Sequence, residues 1–136
     1  MSEMKIVLDT NVLISGIFWK GAPHKILELW IHGHAQIFAS RKIFEEYSAV
    51  LRRIDQSQVL AKKWQRFIVE NITIIAVKEV LQLCRDPHDD MFINCALAAN
   101  ASYIVSGDQD LLVLKKVSKI KIVTPAEFLK IFGKMS

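Results

Sequence analysis

Short apolar runs alternate along this chain with longer segments in which apolar residues recur every three or four positions. A short run of β-branched and aliphatic residues bounded by a turn is typical of a buried strand, whereas the wider spacing indicates an amphipathic helix. We therefore predict strands at 4–8, 36–39, 72–77, 103–106 and 119–123. Helices are predicted at 11–18, 23–33, 41–54, 57–70, 87–100, 111–114 and 125–132.

Capping signals support three of the helix starts. Ser40 suits a helix N-cap, and Asp86-Pro87 indicates a cap followed by the first helical residue. Thr124-Pro125-Ala126-Glu127 is a capping box with proline in the first turn. Strands that alternate with helices predict a mainly parallel sheet with helices on both faces, a three-layer α/β/α arrangement. Internal repeats and long linkers are absent from the sequence, so residues 1–136 are expected to form a single domain.

Hydrophobic content, net charge and cysteine count limit the classes of protein to which this chain can belong. The 136 residues are 51% hydrophobic with a mean hydropathy of +0.24, as expected of a compact chain. No apolar segment approaches the roughly 18 residues of a membrane helix, and no signal peptide is evident, so we expect a cytoplasmic protein. The net charge of +4 mildly favours an anionic partner. Cys84 and Cys95 lie among apolar neighbours and are predicted to be buried thiols, and the histidines lack zinc-site spacing.

Carboxylates follow several apolar runs, where a packed core does not need them. Asp9 ends the first predicted strand and Asp108 follows the strand at 103–106. Because chemistry gathers beyond the carboxyl ends of parallel strands, these acids are expected to converge. At about 100° per residue, Glu46 lies at the edge of an apolar helical arc, and Asp89 projects from the inner face of the next long helix, with Asp90 nearer its margin.

Each of these acids has an ordinary structural explanation when taken alone. A helix glutamate such as Glu46 is usually solvated, and aspartates in a first turn, such as Asp86 and Asp89, usually cap the helix. We accept capping for Asp86. Taken together, the remaining carboxylates would repel one another unless a cation lay between them, so the sequence predicts a metal site.

Four stretches of sequence, taken in order, are similar to a known family. They are Ile6-Val7-Leu8-Asp9-Thr10-Asn11-Val12, Ser40 followed by Glu46, Asp86-Pro87-His88-Asp89-Asp90 before Ala96-Leu97-Ala98, and Val105-Ser106-Gly107-Asp108-Gln109-Asp110-Leu111-Leu112. Each is a weak signal alone, but their order and spacing over nearly the whole chain resemble the PIN-domain nucleases. The similarity is greatest to the VapC-like branch, the toxins of prokaryotic toxin-antitoxin pairs. The resemblance implies a PIN-like fold and a metal-dependent ribonuclease.

The resemblance also implies roles for individual residues. The family's acidic quartet corresponds to Asp9, Glu46, Asp89 and Asp108. Further implied residues are Asp110 as an outer carboxylate, and Asn11 and Ser106 as supporting polar groups, with serine standing at 106 where the family usually has threonine. The family's spacing to the alanine matched at Ala96 selects Asp89, and a shift of one residue would select Asp90 instead.

The chemistry expected of such a site follows from its ligands. Oxygen-only ligands suit Mg²⁺ or Mn²⁺, and one or two ions would fit. We expect Asp9, Asp89 and Asp108 to be direct ligands, and Glu46 to orient water or hold a second ion. An ion would activate water for in-line attack on a phosphodiester, so no protein nucleophile is required.

The favoured function is therefore a Mg²⁺- or Mn²⁺-dependent endoribonuclease, the toxin of a toxin-antitoxin pair, with RNA as substrate and a separate protein as antitoxin. The resemblance also implies a homodimer. One alternative is a non-catalytic RNA-binding module on a nuclease fold. A phosphoryl-transfer receiver domain is a distant third, because the chain lacks a suitable lysine after a late strand.

Several basic side chains are candidates for contacts with RNA. They are Arg41, Lys42, Arg52 and Arg53 first, and then Lys20, His24, Lys62 and Lys63. A solvated helix face is the more common explanation for each of them when it is taken alone. The three tryptophans lie within apolar patterns, which favours core or dimer packing over base stacking.

Overall fold

In the computed structural model, which describes residues 4–135, six strands form one sheet. The strands are β1 (Met4–Leu8), β2 (Ala35–Ala39), β3 (Thr73–Ile74), β4 (Tyr103–Val105), β5 (Lys116–Val117) and β6 (Ile120–Val123). Their order in the sheet is β3-β2-β1-β4-β6-β5, and every pairing is parallel except that of β5 with β6.

Parallel pairing brings several strand ends to one level. Leu8 pairs with Val105, and Val105 pairs with Val123, so β1, β4 and β6 end side by side. On the other side of β1, Ile6 pairs with Ile37, which places the end of β2 at the same edge. We call this the carboxyl edge of the sheet. Any polar residue that directly follows one of these four strands lies there.

Seven helices within residues 4–135 connect and cover the strands. They are α1 (Thr10–Phe18), α2 (Ala22–Ile31), α3 (Arg41–Ile54), α4 (Val59–Asn71), α5 (Asp90–Ala99), α6 (Gln109–Leu112) and α7 (Pro125–Met135). A 3₁₀ turn at Pro87–Asp89 leads into α5. The mainly parallel sheet with covering helices confirms the predicted fold class. Within residues 4–135, no helix is long and apolar enough to cross a membrane.

The predicted helix caps are present at the carboxyl edge. Ser40 Oγ accepts a hydrogen bond from the Ile43 amide at 3.2 Å, which caps α3. Thr124 Oγ1 accepts from the Glu127 amide at 3.2 Å, and Glu127 Oε1 accepts from the Thr124 amide at 2.9 Å, which completes the capping box. These local bonds fix where each strand stops and the next helix begins.

The core is built around the central strand and a close helix pair. Ile6, Val7 and Leu8 of β1 are fully buried. In α1, a Cβ added to Gly16 would lie 2.8 Å from Leu27 Cδ1 in α2. A glycine is therefore needed for these two helices to approach so closely.

Two strand predictions differ from the structure. The strand predicted at 72–77 is paired only at β3, because β2 stops at Ala39 and the Ile75 amide makes the last bond to its carbonyl, at 3.0 Å. Residues 75–85 then continue without regular structure. The predicted final strand has an unforeseen antiparallel partner in β5, which pairs across a tight turn where Ser118 adopts a positive φ of 55°.

Candidate metal centre at the carboxyl edge of the sheet

Asp9 and Ser106 join the ends of β1 and β4. Ser106 Oγ donates to Asp9 Oδ2 at 2.6 Å and accepts from the Asp108 amide at 2.9 Å. Asp9 Oδ1 also accepts from the Asn11 amide at 3.3 Å, as the N-cap of α1. A single buried hydroxyl thus ties together the two acids that the sequence places after these strands.

Three aspartates form a compact group beside this junction. Asp89, Asp108 and Asp110 each offer one carboxylate oxygen, and these oxygens all lie within 4.8 Å of one another. We call this group the acidic triad. Asp108 Oδ1 accepts from the Asp110 amide at 2.9 Å, so the start of α6 holds two of its members together.

Asp89 is the most deeply buried member of the triad. It is only 3% exposed, and its buried Oδ2 has no hydrogen-bond partner within the described chain. Burial and, to a smaller extent, the neighbouring carboxylate of Asp108 together raise the pKa of Asp89 to about 6. Burial likewise raises the pKa of Asp9, a shift that the hydrogen bond from Ser106 opposes and that the charges of Asp108 and Glu46 reinforce.

This arrangement fits a hard divalent cation. All the donors in the triad are carboxylate oxygens, which are the ligands preferred by Mg²⁺ and Mn²⁺. A buried oxygen without a donor costs free energy, and so does the repulsion between neighbouring carboxylates. A cation between the three side chains would relieve both costs. The triad includes Asp110, whereas Asp9 and Glu46 of the predicted quartet lie outside it.

Glu46 is held at the site by three long-range contacts. The Tyr47 hydroxyl, on the same helix, donates to the Leu8 carbonyl and so fixes α3 to the end of β1. Glu46 Oε2 accepts from Thr10 Oγ1, and Glu46 Oε1 contacts His88 Nε2. The hydrogen bond to Glu46 raises the pKa of His88, which favours the imidazolium form.

Thr10 and His88 lie outside the set of residues predicted from the sequence. Thr10 was detectable only as the neighbour of Asp9. His88 contacts a residue 42 positions away and also lies 3.7 Å, through Nδ1, from Asp89 Oδ1. Spacing along the chain carries no signal for such a contact.

Asp90 is not a member of the triad, and its carboxylate accepts hydrogen bonds from the backbone. Its Oδ1 accepts from the Leu83 amide at 2.9 Å and from the Cys84 amide at 2.8 Å. Burial acts to raise the pKa of Asp90, but these hydrogen bonds outweigh it and the pKa lies below its usual value. Of the two candidate aspartates, the structure brings Asp89, and not Asp90, to Asp108 and Asp110.

The remaining predicted residues lie around the site or away from it. Asn11 is exposed and contributes its backbone amide to Asp9. Arg41 and Lys42 are exposed at the start of α3, near the carboxyl edge, whereas Arg52 and Arg53 lie in its last turn, where cations suit the helix dipole.

Neither the thiols nor the tryptophans provide a second site. Cys95 is buried and Cys84 half-buried, and burial raises the pKa of each thiol to about 12, which favours the protonated form at neutral pH. Trp30 is buried, and Trp64 packs edge-on against Phe67, as expected for core residues. Trp19, in contrast, is 62% exposed.

Comparison with known proteins agrees with this fold. A family model described as PIN domain matches residues 5–110. The uncharacterized protein MJ1680 of Methanocaldococcus jannaschii is 32% identical over 146 aligned residues, which cover 97% of this chain and 94% of that protein. A chain in the crystal structure of VapBC2 from Rickettsia felis, bound to a DNA fragment from its promoter, matches with a TM-score of 0.62. That match is 17% identical and covers 88% of this chain and 97% of the other, so it shows a shared fold.

Proposed function

Because this chain belongs to the PIN domain family, we propose that it is a Mg²⁺- or Mn²⁺-dependent endoribonuclease that hydrolyses RNA phosphodiester bonds. The observation that carries the proposal is the buried, unpartnered Oδ2 of Asp89 within a triad of carboxylates. An oxygen in that position is costly unless the protein binds a cation there.

Asp89, Asp108 and Asp110 would hold one ion, and Asp9, oriented by Ser106, would serve it or a second ion. When bound, such an ion lowers the pKa of water and stabilises negative charge on a phosphodiester undergoing in-line attack. Ser106 keeps the Asp9 and Asp108 sides of the site at a fixed separation, because its hydroxyl bonds to both.

Glu46 would orient the attacking water. Thr10 contacts its Oε2 and His88 its Oε1, and Tyr47 fixes the helix that carries it. A carboxylate held in this way loses little conformational entropy when it accepts a hydrogen bond from water. Its remaining lone pairs can still accept such a bond.

The partners of the protein form part of the same proposal. Similarity to the VapC-like toxins, together with the fold shared with a chain of VapBC2, supports a toxin whose activity a separate antitoxin protein neutralises. We further propose that the protein is a cytoplasmic homodimer whose whole chain acts as one domain. Exposed apolar side chains such as Trp19 and Ile31 would suit a contact between subunits.

The Asp9→Asn variant tests the proposal. We expect metal-dependent cleavage of single-stranded RNA to fall at least about 100-fold, because the substitution removes a charge facing the ion. Asp55→Asn is the matched control. Asp55 is also buried and also accepts a backbone hydrogen bond, from the Ala61 amide at 2.6 Å, but it lies beyond the C-terminus of α3.

Cleavage should be measured alongside circular dichroism and thermal unfolding, to show that both variants fold. Undiminished cleavage by Asp9→Asn would refute the assignment of the site. If the unaltered protein bound RNA equally with and without metal and never cut it, the non-catalytic RNA-binding alternative would replace the nuclease.

A further inference from the structure

A cleft lies at the carboxyl edge of the sheet, on the β2 side of the acidic triad, where Ser40 follows β2. It has a volume of about 390 Å³ and lies between the start of α3 and the irregular segment 75–85. Pro87 and Asp90, which flank His88 and Asp89 in the sequence, form part of its wall. The cleft therefore lies at the same edge of the sheet as the acidic triad, where we propose that the phosphodiester is cut.

The lining of the cleft combines apolar walls with a cationic rim. Val77, Val80 and Met91 supply apolar surface, and Val80 is 74% exposed. Arg41 and Lys42 supply positive charge at the start of α3.

The polar groups that line the cleft differ in whether their hydrogen-bonding positions are already occupied. The one carboxylate, that of Asp90, is already engaged by the Leu83 and Cys84 amides. Gln82 is exposed and offers an amide that can both donate and accept hydrogen bonds.

The cleft is held open by specific bonds rather than by a strand partner. Asn94 Oδ1 accepts from the Leu81 amide at 2.8 Å, and Asn94 Nδ2 donates to the Leu81 carbonyl at 3.1 Å. Together with the two bonds to Asp90, these contacts fix four backbone groups of the segment. A segment fixed in this way keeps the Val80 side chain exposed, whereas a free loop would turn its apolar side chains inward.

We propose that this cleft binds one unpaired nucleotide of the RNA, next to the phosphate that is cut at the acidic triad. The base would lie against the apolar wall with its edge toward Gln82, and the adjoining phosphates would contact Arg41 and Lys42. Proteins read single-stranded RNA in this manner, by contacts to the faces and edges of bases turned out of a stack.

The charge of the cleft decides between a nucleotide and a protein segment as its occupant. Its rim carries two cations and no free carboxylate, which complements a phosphodiester backbone. Its volume lies at the small end of ligand pockets and is sufficient for one nucleotide. The proposal rests on the function proposed above, because only a strand cut at the triad would place a nucleotide here.

The test compares Val80→Asp with Val59→Asp. Both valines are 74% exposed, but Val59 begins α4 and lies outside the cleft. Binding of a fluorescent single-stranded RNA pool is measured by anisotropy in EDTA, where no metal-dependent cleavage occurs. We expect Val80→Asp to weaken binding at least about fivefold, because a charge in the wall opposes base contact, and Val59→Asp to change it less than twofold.

Two further measurements separate the possible outcomes. With Mn²⁺ present, Val80→Asp should raise KM and relax the base preference at one position beside the cut, with kcat nearly unchanged. Duplex RNA should bind both variants equally. If Val80→Asp binds single strands as the unaltered protein does and keeps its cleavage preference, the proposal is overturned, and a protein segment becomes the better occupant. If neither protein ever cuts RNA but only Val80→Asp loses single-strand binding, the nuclease proposal fails while the nucleotide site stands.

Discussion

Asp89 and Asp90 are neighbours in sequence and both are buried, yet they belong to regions with opposite electrostatics. Asp89 points into the acidic triad, where its Oδ2 has no donor among residues 4–135 and its pKa is raised to about 6. Asp90 points toward segment 75–85, where two backbone amides bond to its Oδ1 and its pKa is lowered.

The difference shows which acid stabilises the fold and which one reduces its stability. Backbone amides that would otherwise lack a partner donate hydrogen bonds to Asp90. These bonds stabilise both the amides and the carboxylate. The described residues provide no hydrogen-bond donor for Asp89 Oδ2, although Asp90, one residue away, has two. Native proteins keep such unsatisfied groups mainly where a ligand completes them.

The largest predicted effect comes from neutralising each aspartate in turn. Asp89→Asn should reduce Mn²⁺-dependent RNA cleavage at least about 100-fold without lowering the unfolding free energy in EDTA. Asp90→Asn should leave cleavage within a few-fold and lower the unfolding free energy by about 1–2 kcal/mol, because two bonds lose a charged acceptor. Urea denaturation and a cleavage assay on the same preparations measure both quantities. The opposite pattern would show that Asp90 is the metal ligand.

A smaller effect should appear in the pH dependence of stability without metal. The folded-state pKa of Asp89 lies above its unfolded value of 3.8, so its destabilising effect is complete above about pH 6 and disappears as the pH falls toward 4. In EDTA, Asp89→Asn should therefore be more stable than the unaltered protein at pH 7, by on the order of 1–3 kcal/mol, and equally stable near pH 4.

Asp90 should behave in the opposite way. Its folded-state pKa is lowered, so its stabilising effect is present at neutral pH and is lost as the pH falls through that lowered value. Asp90→Asn should thus differ most from the unaltered protein at pH 7, as a loss of stability. Parallel pH profiles for the two variants, from urea denaturation at each pH, would contradict the contrast drawn between the two regions.

The same two residues mark how far the sequence could predict the site. Asp9 and Asp108 could be predicted because apolar runs indicate where strands end, and parallel pairing then brings those ends together. For Asp89 and Asp90, projection of a regular helix from residue 87 and the resemblance to the family both favoured Asp89 but left Asp90 open. The helical segment begins instead with a tighter 3₁₀ turn at Pro87–Asp89, which alters the direction of each side chain.

Contacts distant in sequence account for the rest of what was not predicted. The positions of His88 beside Glu46 and of Asn94 beside Leu81 follow from tertiary packing, not from periodicity. The predicted strand at 72–77 kept its alternating exposure as far as Val77 but lost its partner when β2 ended. Pattern predicts local conformation, whereas pairing also requires knowledge of where the neighbouring strand stops.

The smallest predicted effect concerns Arg85, which lies between the two regions. Its Nη2 is 3.2 Å from Asp110 Oδ1, and its side chain is 87% exposed. Arg66 pairs with Glu70 at 3.1 Å with 83% exposure, so it is a matched control on α4. Because exposed ion pairs contribute about 0–1 kcal/mol, Arg85→Ala and Arg66→Ala should each change the unfolding free energy by less than about 1 kcal/mol.

Metal binding should nevertheless distinguish the two arginines. Arg85 competes with a cation for Asp110, so Arg85→Ala should lower the Kd for Mn²⁺ by about two- to fivefold, corresponding to roughly 0.4–1 kcal/mol, as measured by isothermal titration calorimetry. Arg66→Ala should leave it unchanged. A weaker affinity for Mn²⁺ in Arg85→Ala would mean that the arginine supports the triad instead of competing for it. Asp110 would then belong with Asp90, among the acids that the protein itself satisfies.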